Sequence, residues 1–357
     1  RGRGRRKGNE PDPPLVEAPA LEYAFLPVES EPDNDLDERE TLSTSNGDIT
    51  EAHLQSSSDS PMHTLEKVLF TPTSCRSEAF LSDISRLEPD LCITAAYGNI
   101  LPQAFLDIPK HGTLNVHPSL LPRWRGAAPV QRSIEQGDQM LGVSLAYTVL
   151  ACDAGPVLAS KEMMNDGIIQ ANEALECLFD IGADLLMQEL PSALSGEALE
   201  RAVAQDCNQI THAKKVSPEE ATLDSSSASA QELHNKVRAF IGWPCAKVKI
   251  DIFNEANSAC RNEPLQTIEL KVLESRVVDR GGNSRTSSEP HNHTGEITLT
   301  GQEIYITCGD GKLLQILQLQ APGKKPMSAK SFINGLGNKS IKLNNVVVSE
   351  HEHSVKL

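Results

Sequence analysis

At 357 residues the chain is long enough for two domains, each with its own core. Charged residues at 23%, and no apolar run of bilayer-spanning length, exclude a helical membrane protein, and eight scattered cysteines argue against a zinc knuckle or a disulfide framework and for a reducing compartment. The net charge of −16 is uneven, with ten acidic residues and one base, Arg39, between Glu29 and Ser60, so it does not exclude a nucleic-acid partner met by local basic patches.

In chain order, Arg1-Gly2-Arg3-Gly4-Arg5-Arg6-Lys7 is a basic, Gly-interleaved loop. Residues 29–62 bury too little apolar surface to offset their chain entropy and are expected to be a disordered acidic insert. Glu78–Arg86 has the spacing of an amphipathic helix, and Leu91–Tyr97 is a short apolar run that fits a buried strand. Thr113–His117, Gly142–Val149 and Pro156–Ser160 follow as strands, and Ala171–Leu190 as a helix. Alternating elements predict an α/β layer of Rossmann-like type with a mostly parallel sheet. After Asp206 the pattern changes. A helix over Gln231–Phe240 leads to five short strands at Ala246–Ile252, Thr267–Val278, Gly295–Leu299, Glu303–Cys308 and Leu313–Leu319, which predict a small β-barrel. The expected domains are 1–210 and 211–347.

Chemistry concentrates in Gly112–Pro122. Asn115 and His117 are two apart on a strand and so share a face. Pro118 cannot continue a central strand, which puts the pair at the strand's end, where open α/β sheets bind ligands. An amide and an imidazole aimed at one point can donate to an oxygen gaining negative charge. For an arbitrary Asn-x-His, capping of a strand end is the commoner explanation. The following turn, with Arg123, Trp124, Arg125 and the small residues Gly126 to Ala128, suits a flat anionic ligand. A carboxylate, Asp153, arrives just past the third strand, at the same sheet edge as His117 if the strands run parallel. A carboxylate near an imidazole stabilises its charged form.

These residues resemble the folate-dependent formyltransferases. The resemblance rests on Ala96-Tyr97-Gly98-Asn99-Ile100-Leu101-Pro102, Asn115-Val116-His117-Pro118-Ser119-Leu120-Leu121-Pro122 and Arg125-Gly126-Ala127-Ala128-Pro129-Val130-Gln131-Arg132. It implies that Asn115, His117 and Asp153 are catalytic. It further implies that Tyr97, Gly98, Ile100 and Leu101, with Ser119, Leu120, Leu121, Pro122, Arg125 and Gly126, line the site of the donor, 10-formyltetrahydrofolate, with no metal involved. Three features point to the branch whose acceptor is initiator methionyl-tRNA. The basic loop with Arg3, Arg5, Arg6 and Lys7 resembles that branch's acceptor-gripping loop. Val237–Pro244 resembles the opening of its C-terminal domain with an OB-like barrel, and Pro322–Ala329, with Lys324 and Lys325, its closing signature.

The resemblance therefore predicts a monomeric enzyme that formylates initiator methionyl-tRNA for translation initiation. Residues Asp153–Ala159 and those around Trp243 look like the versions in plant and algal organelles, which predicts a mitochondrial or plastid location. No counterpart of the family's opening strand and Gly-Thr turn follows Arg1, so the sequence is expected to be an N-terminally truncated form. Two alternatives stay open: a formyltransferase for another amine, an amino sugar or a ribonucleotide, and a non-catalytic remnant that binds RNA or folate.

Overall fold

The computed structural model describes residues 50–51, 68–254, 263–279 and 294–344. The expected acidic insert, apart from the backbone of 50–51, and the basic loop with Arg3, Arg5, Arg6 and Lys7 lie outside the described residues. The chain divides into two compact units, 1–69 and 70–357. In the first, β1 (Thr50–Glu51) pairs antiparallel with β2 (Val68–Leu69).

The second unit opens with α1 (Glu78–Arg86), followed by β3 (Cys92–Ala95) and the short helix α2 (Gln103–Leu106). Next come β4 (Thr113–His117), β5 (Arg125–Gly126), α3 (Pro129–Gln136), β6 (Met140–Tyr147) and β7 (Val157–Met164). The sheet order is β3-β4-β6-β7. Strands β3 and β4 run parallel, whereas β6 runs antiparallel to both β4 and β7. The direction of β6 corrects the expectation that it would deliver Asp153 to the end of β4 by running parallel. Helix α3 does not cross back along β4. Its Val130 and Ile134 pack instead with Leu178 and Phe240, so the chain re-enters the sheet at the end it left, with Ser144 opposite His117.

Helix α4 (Ala171–Ser195) covers one face of this sheet, starting at a capping box between Gln170 and Glu173 and stopping at Gly196 in the left-handed region. It reaches the sheet closely at Gly182, where a β-carbon would stand 2.5 Å from Val116 Cγ1. Leu114 and Val116 are thereby committed to the core face, and alternation turns Asn115 and His117 to the other.

Helix α5 (Glu197–Arg201) and the two-residue strand β8 (His212–Ala213) lead to α6 (Ala230–Ala239), which starts at a second capping box, Ser229 with Glu232. The C-terminal part comprises β9 (Ala246–Asn254), β10 (Gln266–Val278), β11 (Ile297–Thr300), β12 (Glu303–Thr307), β13 (Leu313–Gln320), β14 (Met327–Ser328), helix α7 (Ala329–Leu336) and β15 (Lys339–Leu343). All pairings there are antiparallel, in the order β11-β12-β13-β10-β9-β15, with β14 on β13. The register shifts of β10 against β13, around Val272–Ser275, bend the sheet, and its end strands β11 and β15 approach each other, giving a nearly closed barrel. Val248, Ile250, Leu270, Ile304, Ile306, Leu314 and Ile316 fill it, each at most 2% exposed. Five of these strands match the strands predicted from the sequence; β14, α7 and β15 are additional.

Candidate active site

Parallel pairing of Ala95 with Val116 brings the chain after β3 to the edge where β4 ends. Tyr97 and Ile100 stand exposed there, at 44% and 61%, and Gly98 has nothing within 4 Å of where its side chain would be. Leu101 does not join them. It is buried with Cys75 and Phe105, so it serves as core rather than lining.

On β4, the Thr94 hydroxyl donates to Asn115 Oδ1 at 2.9 Å, which turns the Asn115 Nδ2 donors away from β3. His117 is buried at 4% exposure, and its Nε2 lies 3.0 Å from the carbonyl oxygen of Trp124. A carbonyl only accepts, so Nε2 carries the proton and Nδ1 is the nitrogen that faces Asp153 Oδ1, at 3.7 Å. That distance is an electrostatic contact, longer than a hydrogen bond. Nε2 is thus committed within the protein, and donation to a substrate oxygen requires it to leave the Trp124 carbonyl.

The loop after β4 is fastened at its root. Ser144 Oγ donates to the Ser119 carbonyl at 2.7 Å and accepts from Leu121 N–H at 3.1 Å, while Ser119 Oγ donates to the Arg123 carbonyl at 2.7 Å. The Leu121–Pro122 bond is cis. Trp124 N–H donates to Thr211 Oγ1, and β5 pairs with β8, so the segment 211–213 straps the site loop from outside. Arg123 and Trp124 converge on Asp138. Its carboxylate accepts from Arg123 Nε and Nη2, Trp124 Nε1 and Ser133 Oγ. Nothing in the sequence marks Asp138 beyond a Gly-Asp turn.

Asp153 reaches the site by a loop that doubles back between the antiparallel β6 and β7. It sits in the left-handed region, at φ 49°. Its Oδ2 accepts from Gly126 N–H at 2.8 Å and from the Cys152 thiol at 3.3 Å. Burial, with Asp153 beside it, pushes that thiol up to about 11, so Cys152 stays a protonated donor near neutral pH. Arg125 gives both Nε and Nη2 to Gln205 Oε1. Lys324 and Lys325 are exposed on the turn between β13 and β14. Among the described residues no group of three or more His, Cys, Asp or Glu side chains is placed to hold a metal ion, and no helix is long and apolar enough to cross a membrane.

The structure therefore brings Asn115, His117 and Asp153 to one rim, with an open apolar ledge beside them. The family model described as formyl transferase matches residues 34–194, and that of the formyl transferase C-terminal domain matches 215–337, which defines the class. A methionyl-tRNA formyltransferase of Listeria welshimeri is 30% identical over 91% of this chain and 92% of its own length. That of Methylococcus capsulatus is 35% identical over 74% of this chain and 78% of its own. Among solved structures, HypX from Aquifex aeolicus, in complex with tetrahydrofolic acid, aligns with a TM-score of 0.45 at 17% identity, covering 72% of this chain and 40% of that one. The chain belongs to the methionyl-tRNA formyltransferase family.

Proposed function

We propose that this chain transfers the formyl group of 10-formyltetrahydrofolate to the amino group of methionyl initiator tRNA, as a monomer that serves translation initiation in a mitochondrion or plastid. The observation that carries the activity is the meeting of His117 and Asp153, 36 positions apart, at 3.7 Å on the face that Asn115 shares. The donor's flat ring fits the ledge of Tyr97, Gly98 and Ile100, which offers exposed apolar surface beside open space. The wording of Asp153–Ala159 supports the organellar reading.

In the mechanism, the amine lone pair attacks the formyl carbon. A new C–N bond forms as the carbonyl electron pair moves onto oxygen. Asn115 Nδ2 donates to that oxygen, which stabilises it by about 3–4 kcal/mol for a well-placed donor. Collapse of this oxyanion breaks the bond from carbon to the folate nitrogen. The proton leaving the attacking amine passes to Asp153, directly or through a water, and is returned to the departing folate nitrogen. Gly126 N–H orients the carboxylate, and His117, whose Nδ1 stands beside it, becomes a second donor when Nε2 swings from the Trp124 carbonyl to the formyl oxygen. Residues 1–210 would hold this chemistry. Residues 211–347, with Lys324 and Lys325, and the basic loop at Arg3, Arg5, Arg6 and Lys7 would grip the tRNA.

Single-turnover transfer from 10-formyltetrahydrofolate to charged initiator tRNA tests the assignment. Asn115→Ala, His117→Ala and Asp153→Ala should each slow it at least about a hundredfold with folding intact. Near-normal rates in all three would refute the site. Faster formylation of an amino sugar or a ribonucleotide amine would refute the acceptor.

A further inference from the structure

We infer that Gln205 is a positioning residue that fixes Asp153 for the reaction, an inference that rests on the catalytic reading of Asp153. Gln205 lies in the connection after α5, among side chains exposed from Val203 to Gln209, yet is itself half-buried. Its backbone is anchored two residues earlier, where Val203 and Val157 exchange both of their backbone hydrogen bonds at 2.8 Å. From that base the side-chain amide spends its full capacity. Oε1 accepts from Arg125 Nε at 2.9 Å and Nη2 at 2.7 Å, and Nε2 donates to the Asp153 carbonyl at 2.8 Å and the Gly155 carbonyl at 2.7 Å. The orientation of the amide is fixed by this environment. Exchanging its oxygen and nitrogen would set donor against guanidinium and acceptor against two carbonyls.

These bonds close a ring. Arg125 and Gly126 are neighbours on β5, and Gly126 N–H holds the Asp153 carboxylate at 2.8 Å. Gln205 ties the side chain of the first to the backbone of the turn whose carboxylate the second holds. The carboxylate and its own main chain are therefore located against one short strand. Asp153 needs this support, because its left-handed φ of 49° is a conformation that a non-glycine residue keeps only where its surroundings over-determine it. With the turn released, the Oδ1–Nδ1 separation from His117 is no longer set, and misplacement of a reacting group by about 1 Å costs on the order of a hundredfold in rate. Arg125 is thereby assigned to the same ring rather than to the folate.

The test uses the full chain with 10-formyltetrahydrofolate and charged initiator tRNA. Gln205→Met removes all four bonds at nearly constant volume. Gln205→Glu keeps the acceptor for Arg125 and loses the donations to the 153 and 155 carbonyls. Both should lower kcat by roughly tenfold to a hundredfold, with each KM within about twofold. Because Gln205 acts through Asp153, Gln205→Met added to Asp153→Asn should slow the enzyme no further than Asp153→Asn alone. A kcat within about twofold of the parent in both single variants, or losses that multiply in the double variant, would overturn the inference. An Asp153→Asn enzyme of normal rate would instead overturn the catalytic reading beneath it, and the two failures are told apart by that single variant.

Discussion

The α-carbon of Gly155 lies against the carbonyl oxygen of Tyr147, so that a β-carbon at 155 would stand 1.7 Å from that oxygen. Both atoms are backbone and neither can rotate away. The same turn carries Asp153, and Tyr147 N–H is bonded to the carbonyl of Pro156 at 2.9 Å, so displacement of residue 155 reaches the carboxylate. Gly155→Ala should therefore lower the stability by about 3 kcal/mol, the upper range for overpacking, and reduce formyl transfer more than the lost stability explains. Thermal melts with single-turnover rates on the folded fraction check this. An alanine variant with parental Tm and rate would show that the turn has slack that the geometry denies it.

Asp138 holds the other half of the site. Burial pushes its carboxyl up, but hydrogen bonds from Arg123, Trp124 and Ser133 outweigh burial, and the group ends below the ordinary carboxylate range. A depressed carboxyl contributes stability that is present above its unfolded value, about 3.9, and is lost as pH falls through the folded one. Asp138→Asn should cost about 1.5–3 kcal/mol at pH 7, as befits hydrogen bonds to a charged group, and flatten the decline of Tm below pH 4. It should also slow catalysis, since the indole that Asp138 pins belongs to the residue whose carbonyl takes His117 Nε2. Melts from pH 7 to pH 2 for both proteins decide the point, and parallel Tm curves would remove Asp138 from this role.

Much of this is legible in the sequence. Strand β4 could be read residue for residue, because the polar pair at 115 and 117, the apolar Leu114 and Val116 that alternate with them and the proline after them each obey the strand period. Strand β9 was legible for the same reason, its burial alternating through Ala246, Val248, Ile250 and Ile252. The direction of β6 was not, since it is set by where α3 packs and not by anything within Met140–Tyr147. Gln205 was invisible for a different reason. A lone glutamine in a polar connection carries no local signal, and its role exists only where Arg125 and the 153–155 turn meet around it. Leu101 was misplaced because a motif assigns a segment to a site, whereas burial is decided side chain by side chain.

Within the second unit, His234 ties the connection after β7 to strand β10 of the barrel. Its Nε2 donates to the Gly167 carbonyl at 3.2 Å and its Nδ1 accepts from Ser275 Oγ at 2.9 Å. Burial lowers its proton affinity. The Gly167 carbonyl opposes that shift and nearby Arg238 adds to it. The unfolded chain then binds the proton more readily, at about pH 6.5, so stability is full above that pH and declines as pH falls towards the folded value. Tm should thus drop on acidification below about pH 6.5, and His234→Gln, which keeps polar atoms without a titrating one, should reduce that drop. Equal slopes for the two proteins between pH 7 and pH 5 would count against this residue.

Lys324 and Lys325 test the tRNA reading without touching the chemistry. They are exposed on a turn whose own backbone bond, Lys324 N–H to the Ala321 carbonyl at 3.0 Å, does not depend on their side chains. Replacing either by alanine should leave Tm and the KM for 10-formyltetrahydrofolate unchanged. If each neutralises a phosphate, each loss removes released counterions. The KM for tRNA should then rise, and the log–log dependence of tRNA binding on salt should become shallower by about 1 per lysine. A solvated lysine that contacts no phosphate would leave that slope as it is, whatever it does to the absolute affinity. The slope rather than the affinity is therefore the quantity to measure, and an unchanged slope in the double alanine variant would place the tRNA elsewhere on the molecule.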